Sequence, residues 1–243
     1  MKKTKFMVLL LCVSIVLSGC ASMNNTTKGG LIGGGGGTAL GTLIGGAVSS
    51  KKDKGKGRII GAVIGAAVGA GTGILIGNRM DKAAKQAAAI EGAQVEQVTD
   101  NNGLQAVKVT FDSGILFGTG AATLSSSAKA SLSKFANNVL KQNPDMDVDI
   151  YGYTDNQGWK NSTAEQSRQK NLDLSQERAQ SVSSYLMACG ITAAQVKGVQ
   201  GMGEDFPVAD NSTASGRQEN RRVEVYMYAS PEMIQQAESG TLR

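Results

Sequence analysis

Glycine recurs at every fourth position in two segments near the N-terminus, and this repeat restricts what the chain can fold into. The repeated positions are Gly29, Gly33, Gly37, Gly41 and Gly45 in the first segment, and Gly61, Gly65, Gly69, Gly73 and Gly77 in the second. In water, glycine destabilises a helix by about 1 kcal/mol per residue relative to alanine. In a bilayer the backbone must bond to itself, so helix is the available form.

A spacing of four places the glycines on one helix face, and two such faces can pack closely. The repeat therefore predicts a glycine-zipper helical hairpin over residues 29–80, packed on itself or, as a homo-oligomer, on further copies of the chain. A flexible glycine-rich linker is the alternative, but the second segment is rich in Ile and Val. The sequence leaves open whether the hairpin spans the bilayer, because its hydrophobicity per residue is low.

The first twenty residues have the pattern of a bacterial export signal. Three lysines precede a short apolar run, Phe6–Leu17, that leads to Cys20. This end resembles the lipobox of bacterial lipoproteins, in which the cysteine takes a diacylglyceryl group and becomes the mature N-terminus. The resemblance implies removal of residues 1–19, lipidation of Cys20, and a lipid anchor with a polar spacer over residues 20–28. A signal peptide that is cut elsewhere is the alternative.

Composition excludes several classes of function. The chain has no histidine, which rules out Ser-His-Asp and Cys-His catalysis and histidine-ligated zinc. Its three cysteines have no paired spacing, so neither a metal site nor a disulfide framework is predicted, and no cofactor is expected. From Asp100 onward, 13 cations face 16 anions, which argues against nucleic-acid binding. Between Cys20 and Thr99, 9 cations face 4 anions, a balance that suits anionic lipid headgroups.

The C-terminal part alternates strand and helix patterns. Asn102-Gly103 is a hairpin-turn signal between two apolar alternating runs. The predicted elements are strands over 95–98, 104–111, 146–153, 196–199 and 222–228, and helices from Ser125 or Ser126 and over 174–189. Alternation of this kind predicts an α/β fold built on one sheet. We assign residues 81–93 to a linker, with a short Ala-rich helix over residues 82–93 as the alternative, residues 94–229 to the domain and 230–243 to a C-terminal tail.

Five blocks of this domain occur in the order found in a known family. They are Phe111-Asp112, Gly152–Gly158, Asn171–Ala179, Gly201–Glu204 and Asn220–Val225. Together they resemble the C-terminal domain of outer-membrane protein A, which is shared with the peptidoglycan-associated lipoproteins. The resemblance covers about residues 104–229 and implies an α+β sandwich of βαβαβ type on a mixed sheet.

The resemblance also implies a ligand, the diaminopimelate residue of the peptidoglycan stem peptide. By motif match, Asp155 is the ligand acid and Arg178 the ligand arginine. The chemistry suits them, because an acid and an arginine on opposite sides of a groove can hold an ammonium and a carboxylate that share one carbon. The match further places Thr154, Asn171 and Leu174 near the site, and Phe111 with Asp112 along its other edge.

Simpler interpretations exist for the same residues. An Asp between a strand and a glycine is often a turn residue, and a helical arginine is often solvated. Arg221 and Arg222 are expected to form structural ion pairs with acids of the domain. Twelve residues, Trp159–Lys170, separate Gly158 from Asn171, where the family commonly has about four. They predict an insertion beside the groove, in which Trp159 is a weak candidate for sugar stacking.

These features predict an outer-membrane lipoprotein with its C-terminal domain in the periplasm. It would bind peptidoglycan non-covalently and tether the membrane to the wall, and Ala21 after the lipidated cysteine fits the family's outer-membrane sorting. A membrane-active glycine-zipper oligomer is the alternative. A wall hydrolase that uses Asp112 and Asp155 is disfavoured, because no nucleophile or metal pattern accompanies them. No catalytic residue is therefore assigned.

Overall fold

The computed structural model of the protein describes residues 70–242. In chain order the elements are α1 (Ala70–Ala88), β1 (Ala93–Thr99), β2 (Gln105–Asp112), α2 (Ser113–Leu116), α3 (Ser126–Asn138), a 3-10 turn (Leu140–Gln142), β3 (Met146–Gly152), α4 (Ala164–Ala188), β4 (Val196–Gly201), α5 (Ala214–Asn220), β5 (Arg222–Ala229) and α6 (Pro231–Glu238). The strands form one sheet in the order β1-β2-β5-β3-β4. β3 and β4 pair in parallel and the other neighbours are antiparallel. The predicted α/β class on a mixed sheet is confirmed. The signal peptide, Cys20 and residues 29–69 of the predicted zipper lie outside the described residues.

One hydrophobic core joins the helices to one face of the sheet. Its strand members alternate along β2, β3 and β5, as a period of two requires. They include Val107, Val109, Val148, Ile150, Val223 and Val225, and the helices add Leu132, Phe135, Val182 and Leu186. Intervening strand residues and Tyr153, which follows β3, form a second buried cluster, which contains no residue of a described helix: Ala106, Tyr151, Tyr153, Tyr226 and Tyr228. On this second face Arg222 pairs with Glu224 at 2.7 Å, which agrees with the structural ion pair expected for that arginine.

Helix α1 runs through the boundary that the sequence analysis placed after residue 80. Ile76, Met80, Ala83 and Ala87 are completely buried in the main core. Their spacing of four, three and four continues one apolar helix face beyond the glycine repeat. Residues 81–93 are helix to Ala88, a turn and the start of β1, so of the two interpretations of this segment the Ala-rich helix describes the greater part. None of the helices within residues 70–242 combines the length and the apolar character needed to cross a bilayer.

The C-terminal tail predicted over residues 230–243 also contains a packed helix. Ser230 caps α6 by accepting the Met233 backbone N–H at 3.1 Å, and Pro231 occupies the first turn. Met233, Ile234 and Ala237 are buried in the main core, against α1 and β5. The helix is short, and its apolar stripe of three residues is too brief to give a clear period.

Helix α4 begins ten residues earlier than predicted. Thr163 caps it with a capping box, accepting the Gln166 backbone N–H at 3.2 Å while the Gln166 side chain accepts the Thr163 N–H at 2.9 Å. The predicted insertion Trp159–Lys170 is thus only partly a loop, since residues 164–170 form the first turns of α4. The Thr-x-x-Gln spacing was the sequence signal for this start.

Two glycines allow α4 to lie directly on the ends of β3 and β4. A Cβ on Gly152 would collide with the carbonyl oxygen of Ser175, and one on Gly201 would collide with the backbone N of Gln176. The Gln176 side chain accepts the Gly201 N–H at 2.6 Å, and Ser175 Oγ accepts the Gly203 N–H at 2.8 Å. The helix is therefore held to the strand ends by backbone contact and by hydrogen bonds.

Asp100 organises the β1–β2 hairpin from a buried position. Its Oδ1 accepts the backbone N–H groups of Asn102 and Leu104, both at 2.8 Å, and Gly103 adopts a φ of +74° in the turn. Burial raises the pKa of the Asp100 carboxyl to about 6, although these hydrogen bonds oppose the shift. Because the folded-state pKa lies above the unfolded value, the protonated acid stabilises the fold below the unfolded pKa, and this contribution is lost as pH rises through about 6.

We predict that Asp100→Asn keeps both backbone hydrogen bonds through its own Oδ1 and removes the cost of a buried charge. The variant should be at least as stable as wild type at pH 7. Its advantage should shrink by about 1 kcal/mol at pH 5, where the wild-type carboxyl is protonated in the folded state. Urea unfolding at the two pH values measures this difference.

Asp210→Asn is the matched control for this measurement. Hydrogen bonds from Ser212 lower the pKa of the exposed Asp210 carboxyl, so it stays ionised at both pH values. The difference between this variant and wild type should not change from pH 7 to pH 5. A constant difference for Asp100→Asn as well would contradict the raised pKa.

We also predict that Gly152→Ala destabilises the protein by about 1–3 kcal/mol, the usual cost of overpacking. The added methyl must displace α4 from β3, because the clashing atom belongs to the backbone. Gly158→Ala is the matched control, since its Cβ would meet only Ser167 Oγ at 3.5 Å. The control should change stability by less than about 0.5 kcal/mol. Equal urea midpoints for the two variants would refute the close helix–strand contact.

Candidate ligand-binding site

Three charged side chains meet where β3 ends and β5 begins. Gly152 lies opposite Val223 in the antiparallel β3–β5 pair, so the residues after β3 and before β5 share one edge of the sheet. Asp155 follows β3 and forms an ion pair with Arg221, which precedes β5. Arg178 comes from α4, and both of these groups act electrostatically on its guanidinium. The site thus combines one acid with two arginines.

Asp155 is almost fully buried and its carboxylate has two protein partners. Oδ2 accepts Arg221 Nη1, and Oδ1 accepts the Gln157 backbone N–H at 3.0 Å. The side chain is therefore both a turn residue and half of an ion pair. Among the described residues the ion-pair partner of Asp155 is Arg221 and not Arg178, so the structure does not contain the direct contact between the two predicted ligand residues.

Arg178 is only 3% exposed, and the protein contacts the inner end of its guanidinium group. Its Nε donates to the Ala121 carbonyl at 3.0 Å, and its guanidinium carbon lies 5.2 Å from the centroid of the Phe117 ring. The two terminal nitrogens form no hydrogen bond with a described residue, and they are accessible to solvent. Burial lowers the pKa of Arg178, repulsion from Arg221 lowers it further, and Asp155 opposes the shift.

Thr154 adds a buried hydroxyl next to Asp155. Its backbone N–H donates to the Gly203 carbonyl at 2.8 Å, which fixes the chain between β3 and the acid. Its Oγ1 is buried and has no hydrogen-bond partner within the described part of the chain. A buried unpaired hydroxyl costs free energy, so this atom is a candidate for contact with a bound molecule.

Asn171 holds the loop that presents Asp155. Its Nδ2 lies 3.4 Å from the Asp155 carbonyl, 3.3 Å from the Gln157 carbonyl and 3.1 Å from Glu204 Oε2. Its Oδ1 accepts the indole N–H of Trp159 at 2.7 Å. The side chain is 3% exposed, and both its oxygen and its NH₂ group bond to the protein, so it supports the loop that carries Asp155.

The other predicted residues divide between the site's surroundings and the core. Leu174 is half-buried on α4, one turn before Arg178. Phe111 is 2% exposed and packs edge-on against Phe135 in the main core, with ring centroids 5.6 Å apart, so its side chain does not form an edge of the site. Its position on β2 points it toward α3, which the alternation of the strand determines.

Asp112 has a structural role as well. Its Oδ1 caps α2 by accepting the Gly114 N–H at 2.6 Å, and its Oδ2 accepts Gln218 Nε2 at 3.0 Å. The carboxylate thus ties α2 to α5.

No group of three or more His, Cys, Asp or Glu side chains with metal-ligand geometry occurs within residues 70–242.

Sequence reasoning assigned Arg221 a purely structural role and gave Trp159 little weight, and it missed the Ala121 carbonyl. The position of Arg221 follows from the β3–β5 register, which no local pattern reveals.

Two surface depressions also lie beside the site. A groove of about 640 Å³ between α3 and α4 includes Glu177 but not Arg178, and a cavity of about 80 Å³ is lined by Gly203 and Glu204. The larger depression is therefore not where the charges meet.

Comparison with known proteins relates this arrangement to a family. Residues 116–221 match the OmpA family, and residues 1–81 match the YMGG-like Gly-zipper. Over 231 residues the chain is 34% identical to Probable lipoprotein YiaD of Escherichia coli, a match that covers 93% of this chain and 98% of that protein. The chain belongs to the OmpA family. The resemblance predicted from five sequence blocks is confirmed.

Other relatives match about half of this chain. The chain is 37% identical over 119 residues to the outer-membrane lipoprotein YfiB of Pseudomonas aeruginosa, covering 49% of this chain and 65% of YfiB. It is 38% identical over 120 residues to the peptidoglycan-binding protein ArfA of Mycobacterium bovis, covering 49% of this chain and 34% of ArfA. The fold also matches a MotB-like protein from Desulfovibrio vulgaris, with a TM-score of 0.53 and 23% identity over 65% of this chain and 96% of that one.

Proposed function

We propose that this OmpA-family protein is an outer-membrane lipoprotein that binds peptidoglycan non-covalently and tethers the membrane to the cell wall. The observation that carries this proposal is the buried Arg178 beside the Asp155–Arg221 pair, because its terminal nitrogens have no hydrogen-bond partner among residues 70–242. Such a guanidinium is ready to bind a carboxylate with two parallel hydrogen bonds. The relatives named as outer-membrane lipoproteins and as peptidoglycan-binding proteins support the same assignment.

The ligand that fits this cluster is the free end of diaminopimelate in the stem peptide. That end carries an ammonium and a carboxylate on one carbon. The ammonium binds Asp155, whose carboxylate oxygens each keep a second lone pair after the bonds to Arg221 and Gln157. The carboxylate binds Arg178, and Arg221 adds a second positive charge nearby. The two arginines and one acid give the site a net charge of +1, which favours the carboxylate end.

Lipid attachment at Cys20 would place the domain in the periplasm, next to the inner surface of the outer membrane. A doubly acylated or triacylated cysteine anchors stably, because each buried methylene contributes about 0.8 kcal/mol. Binding at a single stem peptide is weak in this view. Many copies that face one sheet of wall would hold it strongly through avidity.

We further propose that the domain binds the wall without cleaving it. A hydrolase would need an acid and a base that are free to transfer protons. Asp112 is bound to a helix N-terminus and to Gln218, and Asp155 is bound to Arg221 and to a backbone amide. Incubation of the protein with purified wall sacculi tests this, since the expected result is co-sedimentation without release of soluble muropeptides.

We predict that Asp155→Ala and Arg178→Lys each reduce co-sedimentation with diaminopimelate-containing sacculi by at least about tenfold. The alanine removes the ammonium partner. The lysine keeps the charge but loses the planar pair of donors. A hydrogen bond to a charged group contributes about 1.5–3 kcal/mol. Quantitative sedimentation of the full-length protein in detergent measures both effects.

Asp173→Ala and Arg168→Lys are the matched controls, because both residues are exposed on α4 and their contacts are with other surface groups. They should bind like wild type, and thermal unfolding should show that all four variants are folded. Undiminished sedimentation of folded Asp155→Ala and Arg178→Lys would rule out the proposed site.

A further inference from the structure

Trp159 lies beside the ligand site and is fixed against α4. It is the only tryptophan of the chain and is half-buried. Its backbone N–H donates to Ser167 Oγ at 3.0 Å, and its indole Nε1 donates to Asn171 Oδ1 at 2.7 Å. The nitrogen of Lys170 lies 5.9 Å from the centroid of its ring. The indole is therefore an ordered part of the site's surroundings and not a free loop side chain.

The indole hydrogen bond determines how Asn171 supports the Asp155 loop. The Asn171 amide has one accepting oxygen and one donating NH₂ group. Because the oxygen is taken by the Trp159 N–H, the NH₂ group must face the other way, toward the Asp155 and Gln157 carbonyls. Trp159 thereby fixes the orientation of the side chain that holds the acid in place.

The far end of the indole lies next to the loop that holds Arg178. A Cβ built on Gly120 would lie 3.8 Å from Trp159 Cη2, which is van der Waals distance. Gly120 has a φ of +65°, so it sets the direction of the next residue in a conformation that favours glycine. That next residue is Ala121, whose carbonyl accepts Arg178 Nε at 3.0 Å. One aromatic side chain is thus hydrogen-bonded to the support of Asp155 and lies next to the loop that supports Arg178.

Building on the function proposed above, we propose that Trp159 is a positioning residue that sets the separation between Asp155 and Arg178 and thereby selects a diamino-acid head group. The ammonium and the carboxylate of that group share one carbon, so both are bound only when the acid and the guanidinium keep one separation. A stem peptide with lysine at this position offers an ammonium alone. It contacts Asp155 without using Arg178, and it is insensitive to the separation.

Two variants separate the parts of the side chain that this role uses. Trp159→Phe keeps an aromatic ring and removes the donor to Asn171, whereas Trp159→Leu removes the aromatic ring as well. We expect Trp159→Phe to lower affinity for diaminopimelate-containing sacculi by roughly fivefold, the typical effect of one hydrogen bond. Trp159→Leu should lower it further. Affinity for lysine-containing sacculi should change less, so that the ratio of the two affinities falls toward one.

Tyr185→Phe is the matched control. It also removes one polar atom from a half-buried aromatic residue that bonds another helix, since Tyr185 Oη lies 2.9 Å from Ser133 Oγ. This control should keep the wild-type ratio. If the Trp159 variants lose affinity for both kinds of sacculi in proportion, or for neither, Trp159 is not a positioning residue. A wild-type protein that binds neither kind would overturn the proposed function itself, and this inference with it.

The single tryptophan provides a second readout that a purely structural role would not produce. Titration of the full-length protein with the tripeptide L-Ala-γ-D-Glu-meso-diaminopimelate should change its tryptophan emission, because binding adjusts the supports that the indole contacts. The same titration of Asp155→Ala should leave the emission unchanged. Sedimentation that reports wild-type binding while the emission stays constant would argue against the placement of Trp159 at the site.

Discussion

The contact between α4 and the ends of β3 and β4 determines the geometry of the whole site. Helix and strands meet there backbone to backbone, because Gly152 and Gly201 have no side chains to separate them. Ser175 and Gln176 of α4 add hydrogen bonds to the chain that leaves β4. Arg178 lies just one turn further along the same helix. Its height above the sheet, and so its distance from the end of β3, follows directly from this contact.

The charges at the site are costly for the folded protein, which favours a functional explanation. Burying an arginine is unfavourable unless it is paired and hydrogen-bonded. Arg178 receives one hydrogen bond partner and an aromatic ring, yet it also faces a second arginine, Arg221, that lowers its pKa. Asp155 offsets part of this cost. A bound carboxylate would offset the rest, so ligand binding would also stabilise the folded protein.

The sequence predicted the regular elements well, since periods of two and 3.6 are local properties. It failed where tertiary contacts decide the outcome. A short Ala-rich helix was one interpretation of the segment that ends α1, but its burial depends on packing against the core, and the apolar stripe of α6 is too short to give a clear period. At the site, Asp155 and Arg178 were identified by the matched sequence blocks. Arg221 lies next to Asp155 because β3 and β5 pair, so the sequence blocks did not identify it. This proximity depends on the order of the strands in the sheet, and local sequence patterns do not reveal that order.

The path from the N-terminal segment into the domain has a mechanical consequence under the proposed tethering function. A tether transmits load, and here the load enters through α1, which is part of the core and not a free linker. Ile76 and Met80 are completely buried, and Arg79 donates to both carboxylate oxygens of Asp145 at 2.8 Å. Pulling α1 away must expose apolar surface at about 25 cal/mol per Å² and break this ion pair together. Asp145 precedes β3 and the candidate site follows it, so we expect that site to stay folded until this cooperative contact fails.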